Sequence, residues 1–356
     1  MKVHPEQLVP GCLITQDVMG QVVQPLVPKN TIIEPVHILV LKKFQVGEVV
    51  VANKLASGED FKVEDLPAEE ANSIEKDQDD FFDVYVKTVK QTINLFEQWK
   101  PQSKLEIAKI REMLNPLITQ AEETPDLLLK LHHFSDKRYY FYHHIVANAA
   151  ITAFLTKKLQ YDQQERRKIA LAAFLADLGM LLEDKDLYTK DRVLTEEEFA
   201  RVRKHPALSY KLVDGLEVSK DVKVAILQHH ERLDGSGYPM GASHDKIHAY
   251  AKIIAVSDMF HAMTCERVYR RKESPFKVIE EMLQGQFGKL DMKVINALVD
   301  SIITFGNGTK VKLSNNETGT IVFTDEKSPT RPFIRLSNKD IINLDDYRDI
   351  HIEEII

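Results

Sequence analysis

Cysteine is nearly absent from this chain: Cys12 and Cys265 are the only two in 356 residues. That excludes a disulfide framework and argues against a zinc–thiolate cluster. Long apolar runs are missing as well. The most apolar segment, near Ile169 to Leu182, is interrupted by Asp177 and is too short to span a bilayer. The opening MKVHPEQLVPG has no apolar core of the signal-peptide kind. Positive charge is not in excess: 47 basic against 54 acidic residues leave a net charge of -7. Such a field disfavours a long polyanion such as DNA, whereas a small anionic ligand needs only a local basic patch. There is no internal repeat and no low-complexity tract. What is present is 44% hydrophobic and 28% charged residues, the balance of a soluble, cytoplasmic chain of two or three domains.

The expected architecture is multidomain α+β, an all-α core between two small β-rich modules. Residues 1–56 read as short strands around one helix from Val36 to Phe44, punctuated by Pro10-Gly11, Pro28-Lys29-Asn30 and Gly47. Residues 57–80 are acidic and polar, either a linker or a solvated helix face. Residues 81–125 read as connecting helices. Phe82, Val86, Val89, Ile93 and Phe96 form one apolar stripe; Ile107, Ile110, Leu114 and Ile118 form another, with Pro116 as a kink. Residues 126–304 are nearly all helical. Thr195 with Glu198 is a capping box, and Gly215 stops the helix after Pro206. Residues 305–356 alternate as short strands.

Chemistry concentrates in the helical part. Asp177 lies inside Leu171-Ala-Ala-Phe-Leu-Ala-Asp-Leu-Gly-Met, where a carboxylate is costly unless it meets a cation or several donors. His229 and His230 end a helix and are turned about 100° apart, so both reach one ion only if it sits near the helix end. His143, in Tyr142-His143-His144-Ile145, His205 before Pro206, and Asp258 on an apolar helix face are further candidates. Each alone reads equally as a helix-terminal or core polar residue. Asp234-Gly235-Ser236-Gly237-Tyr238-Pro239 makes a tight loop, with glycines that permit positive φ and a proline that fixes the exit. Arg267 and Arg270 could offer guanidinium forks to phosphate, or form a solvated charge cluster.

The run His229-His230-Glu231-Arg232-Leu233-Asp234-Gly235-Ser236-Gly237-Tyr238-Pro239 resembles the HD-GYP family, whose signature HHExxDGxGYP is complete here. That family hydrolyses cyclic dinucleotides, chiefly cyclic di-GMP, at a centre of two or three metals. The resemblance implies metal ligands at His143, Asp177, His205, His229, His230 and Asp258, with Asp177 as the bridging catalytic aspartate. It implies that Arg267 and Arg270 contact substrate phosphate and that the Asp234 to Pro239 loop shapes the site mouth. It also exposes departures. Ala176 and Met180 replace the histidine and lysine of His-Asp-x-Gly-Lys, His144 stands where serine is usual, and Tyr139 offers no acidic ligand. His261 replaces a carboxylate and either substitutes as a ligand or fills space left by the lysine. The implied cofactor is iron, manganese, nickel or zinc, at one or two ions per chain or none. Ala176 and Met180 favour a degenerate member that binds a cyclic dinucleotide and signals through its modules, in contact with a protein partner or in an oligomer. An active cyclic di-GMP phosphodiesterase and a structural scaffold are the alternatives.

Overall fold

The computed structural model describes residues 1–19, 25–43, 46–61, 80–101, 103–134, 139–183, 187, 190, 192–265, 272–285, 288–303, 306–325 and 328–356. Most of the expected linker, and both Arg267 and Arg270, lie outside the described residues. The chain divides into two compact units, Met1–Asp83 and Val84–Ile356.

The first unit holds β1 (Lys2–Val3), β2 (Cys12–Ile14), β3 (Val18–Met19), β4 (Pro25–Val27), α1 (Pro35–Lys43) and β5 (Val49–Leu55). Strand β5 lies between β1 and β2, antiparallel to both, and β3 pairs with β4. Val3, Cys12, Ile14, Val49 and Val51 alternate inward to make its core.

Helix α2 (Phe81–Gln98) spans the division, and α3 (Ile107–Glu123) follows it. The buried stripe of α2 is offset from the expected one. Tyr85, Thr88, Val89, Thr92 and Phe96 are buried, whereas Val86 and Ile93 are half-buried. The Thr88 and Thr92 hydroxyls donate to the carbonyls four residues back, so burial leaves them satisfied. Pro116 lies within α3, which continues through it.

After the short α4 (Leu127–Lys130) come α5 (Tyr140–Lys158) and α6 (Gln163–Leu175). Every residue of α5 from Phe141 to Thr156 is buried, the mark of a helix enclosed on all sides. Arg166 on α6 grips Glu122 on α3 through two hydrogen bonds, at 2.8 and 3.0 Å. The apolar run expected to reach Leu182 as one helix instead ends its α-helical part at Leu175. A 3-10 turn, Leu178–Leu182, carries it on.

Next come α7 (Glu196–Val202), α8 (His205–Asp214), α9 (Lys220–Gln228), α10 (Ala249–Thr264), α11 (Pro275–Gly285) and α12 (Met292–Ile302). The Thr195–Glu198 capping box and the Gly215 stop are both present. The chain closes with β6 (Lys310–Leu313), β7 (Thr318–Phe323), β8 (Phe333–Leu336), β9 (Ile341–Asn343) and β10 (Ile352–Ile355), an antiparallel sheet ordered β10-β6-β7-β8-β9. These strands belong to the same compact unit as the helices. The Ser274 hydroxyl donates to the Ile352 carbonyl at 2.7 Å, and Arg331 pairs with the buried Glu280.

Candidate metal centre

The register between α5 and α10 is set by a buried polar seam. Thr152 and Ser257 hydroxyls meet at 2.7 Å, and Ser257 donates to Asn148 Oδ1 at 2.5 Å. His144, Asn148 and Thr152 stand four apart on α5, and so share one face. That face turns His144 toward Asp258, the neighbour of Ser257. His144 Nε2 lies 2.8 Å from Asp258 Oδ1 and 3.3 Å from Asp177 Oδ2.

Asp177 sits where α6 gives way to the 3-10 turn. Gly179, two residues on, explains how that turn reaches α8. A Cβ there would lie 2.3 Å from the His205 carbonyl oxygen and 2.8 Å from the Ser209 amide. The bare glycine also donates its N–H to the Ser209 hydroxyl at 2.7 Å. Asp177 Oδ1 is thereby brought 3.1 Å from His205 Nε2 and 3.6 Å from His229 Nε2.

Two hydrogen bonds fix the tautomers of those histidines. His205 Nδ1 lies 2.7 Å from the Val202 carbonyl, and His229 Nδ1 lies 2.7 Å from the Ile226 carbonyl. A carbonyl only accepts, so each Nδ1 carries the proton. In the neutral rings both Nε2 atoms then present lone pairs, and these are 3.1 Å apart. Two lone pairs facing each other beside a carboxylate repel unless a proton or a cation lies between them. His230 completes the group: the donor atoms of Asp177, His205, His229 and His230 all lie within 4.8 Å of one another.

His144, Asp177 and Asp258 form a second such group. Asp177 belongs to both, with Oδ1 toward one and Oδ2 toward the other. Oδ2 is buried and makes no well-formed hydrogen bond; its nearest described partner is His144 Nε2 at 3.3 Å. An orphaned carboxylate oxygen, paired imidazole lone pairs and an all-N,O donor set fit divalent transition ions.

The electrostatics agree. Burial opposes ionisation of Asp177 and Asp258, yet their histidine partners hold both below the usual carboxylate range. Burial likewise opposes charge on His144, but the carboxylates of Asp177 and Asp258 beside it raise it to about 9. Burial, then the neighbouring His229, keeps His230 neutral, the form that ligates.

The Asp234 to Pro239 loop caps this centre. Gly235 has φ +81, and a Cβ at Gly237 would lie 2.4 Å from the Arg232 amide nitrogen. The Tyr238 ring packs on His230 with centroids 4.7 Å apart, and the exposed Arg203 guanidinium lies 4.9 Å from the Tyr238 centroid. Asp234 serves the loop itself, accepting from the Ser236 amide and hydroxyl at 3.0 and 2.6 Å. Buried Glu231 accepts from the Met240 and Ala242 amides at 2.7 and 2.9 Å, so the signature glutamate anchors the loop.

A family model described as HD domain matches residues 116–294. The chain belongs to the HD domain family. A protein of Pseudomonas aeruginosa named a cyclic di-GMP phosphodiesterase is 27% identical over 245 residues, 68% of this chain and 59% of that protein. One of Borreliella burgdorferi with the same name is 27% identical over 191 residues, 54% of this chain and 50% of that protein. The chain thus spans about half to three-fifths of the length of these relatives. A solved HDG"Y"P protein from Bdellovibrio bacteriovorus aligns at 16% identity over 84% of this chain and 98% of that one, with a TM-score of 0.49.

Within this HD domain, Asp177, His205, His229, His230 and Asp258 come together as expected from sequence. His143 does not join either donor group: its Nδ1 meets the Tyr85 hydroxyl at 3.1 Å, and His144 takes the place expected of it. His143 and His144 lie in one continuous helix about 100° apart, and it is the His144 ring that faces Asp258 and Asp177. His261 also lies outside both groups. Its Nδ1 is 2.9 Å from His144 Nδ1, and its Nε2 is 3.0 Å from Cys265 Sγ. Ala176 is fully buried, and Met180 is buried as well. Sequence reasoning passed over His144, Glu231 and Arg203. The four-residue spacing of His144, Asn148 and Thr152 in an otherwise apolar helix was the signal for the first of these.

Proposed function

We propose that this HD domain binds a cyclic dinucleotide over a two-ion centre and hydrolyses one of its phosphodiester bonds. The observation that carries the reading is the placement of the two Asp177 oxygens, one toward each donor group. Divalent ions held by Asp177, His205, His229 and His230 on one side and by His144, Asp177 and Asp258 on the other would acidify a water and neutralise charge on phosphoryl oxygens. The residues do the rest. His205 and His229 are held in one tautomer by backbone carbonyls and present Nε2 inward. Asp177 and Asp258 stay ionised. The Tyr238 ring covers His230 and narrows water access, and Arg203 offers a cation at the mouth. Arg267 and Arg270 are proposed as further phosphate contacts. The curated relatives named as cyclic di-GMP phosphodiesterases support that substrate class.

A second reading is binding without turnover. It is favoured by Ala176 and Met180, which remove an imidazole and a cation from the expected set. One experiment separates the readings. Elemental analysis of the purified chain is set beside a cyclic di-GMP hydrolysis assay, with Asp177→Asn as control. Two ions and slow cleavage that Asp177→Asn abolishes support hydrolysis. Tight nucleotide binding with one ion and no cleavage supports the second reading. Neither ion nor nucleotide binding sinks both.

A further inference from the structure

Asp258 and His261 stand three apart on α10 and project from the same face. They hold opposite edges of one ring. Asp258 Oδ1 meets His144 Nε2 at 2.8 Å, and His261 Nδ1 meets His144 Nδ1 at 2.9 Å. His261 Nε2 then reaches Cys265 Sγ at 3.0 Å, one turn further along. All three of His144, His261 and Cys265 are buried, at 7%, 1% and 0% exposure.

When His144 is neutral, as a ligand must be, two proton arrangements satisfy this relay. Two Nδ1 atoms at 2.9 Å hydrogen-bond when one of them carries a proton and the other does not; the Tyr140 hydroxyl lies further off, 3.3 Å from the same His144 Nδ1. When His144 Nδ1 carries the proton, His144 Nε2 is a free lone pair, His261 Nδ1 accepts, and His261 Nε2–H donates to the Cys265 sulfur. When His261 Nδ1 carries the proton of that bond, His144 Nδ1 accepts; each neutral ring keeps one proton, so His144 holds its own on Nε2, where it meets Asp258, and His261 Nε2 accepts from the Cys265 thiol. The first arrangement opens the three-donor group to a cation, and the second closes it. Partners of a ligating imidazole fix its tautomer and orientation and change metal affinity by about 10–100-fold.

We infer that His261 is a positioning residue for His144, acting as an outer-sphere acceptor that keeps His144 Nε2 available to an ion beside Asp177 and Asp258. Cys265 Sγ is the contact of His261 Nε2 on the far side of that ring. The inference rests on the metal reading above and adds a residue which that reading does not need. It also gives His261 a part other than ligand or space filler.

The test is calorimetric titration with Mn(II) of the parent chain, His261→Ala, His261→Gln, His144→Ala and the His144→Ala, His261→Ala double variant. Unfolding midpoints are measured in parallel. In the parent, two classes of site are expected. His261→Ala should weaken one class by about 10–100-fold and leave the other unchanged. His261→Gln, whose side-chain oxygen accepts, should recover most of the loss. In the double variant the loss should equal that of His144→Ala alone, the mark of a residue acting through another. Equal Mn(II) affinity in His261→Ala and parent overturns the inference. So does a loss spread over both classes that follows the fall in unfolding midpoint. If the parent binds no Mn(II), the metal reading falls, and the crystal structure of His261→Ala decides the inference. A His144 ring turned away from Asp258 supports positioning, and an unmoved ring overturns it.

Discussion

Glu231 Oε1 accepts the backbone N–H of Met240 at 2.7 Å, across the whole of the signature loop. Its other oxygen accepts from Ala242, so one buried side chain sets both the length and the exit of the turn. Glu231→Gln keeps one acceptor and turns an amide N–H₂ toward an N–H. We expect a loss of about 1–3 kcal/mol in chemical unfolding, with weaker nucleotide binding and unchanged helix content. A stability equal to the parent's would show that water replaces the carboxylate without cost.

The neighbours His143 and His144 separate stability from metal binding. His144→Ala should remove the three-donor group and lower ion content while the fold is kept. His143→Ala should cost about 1–2 kcal/mol through its buried contact with Tyr85 and leave ion content unchanged. Elemental analysis beside thermal unfolding reads both. Loss of ion in His143→Ala with retention in His144→Ala would reverse the assignment.

Acid and base should act in opposite senses on the chelator-treated protein. The folded pKa of His144 is raised to about 9 from an ordinary 6.5, by Asp177 and Asp258 against the effect of burial. Its contribution to stability is therefore fully present below pH 6.5 and is lost as pH rises through about 9. Asp177 and Asp258 are shifted down, so their contribution holds above the ordinary carboxylate range and is lost in acid. The unfolding midpoint should fall on both sides of neutrality. Saturating Mn(II) should flatten the alkaline limb, since the ion replaces the proton on His144. An alkaline limb that is flat without metal would remove His144 from this role.

The loop, the four-donor group and the alternation of small sheets with a helical core were legible in the sequence. Glycine spacing, an isolated buried carboxylate and paired histidines are local signals. What was not legible depended on angle and partnership. His144 was displaced by its neighbour because a motif counts residues, whereas a helix turns them by about 100° each. The α2 stripe shifted onto Tyr85, Thr88 and Thr92 because threonine hydroxyls satisfied within the helix bury as readily as aliphatic carbons. The Ser274 hydroxyl and the Glu280–Arg331 pair, which tie the C-terminal strands to α11 and its approach, join segments far apart in sequence and so leave no local signal.

The shared carboxylate of Asp177 has one consequence for how such a centre fills. A cation on one side would draw on Oδ1 and a cation on the other on Oδ2, both on the same hinge of chain between α6 and the Leu178–Leu182 turn. Orienting Asp177 for a first occupant would aim its other oxygen at the second berth, and removing that occupant would free the carboxylate that serves both. Uptake at the two berths would then be coupled rather than additive. The affinity of each berth reports the state of its neighbour, and a chain with a depleted ligand set on one side is sensitive to metal supply on both.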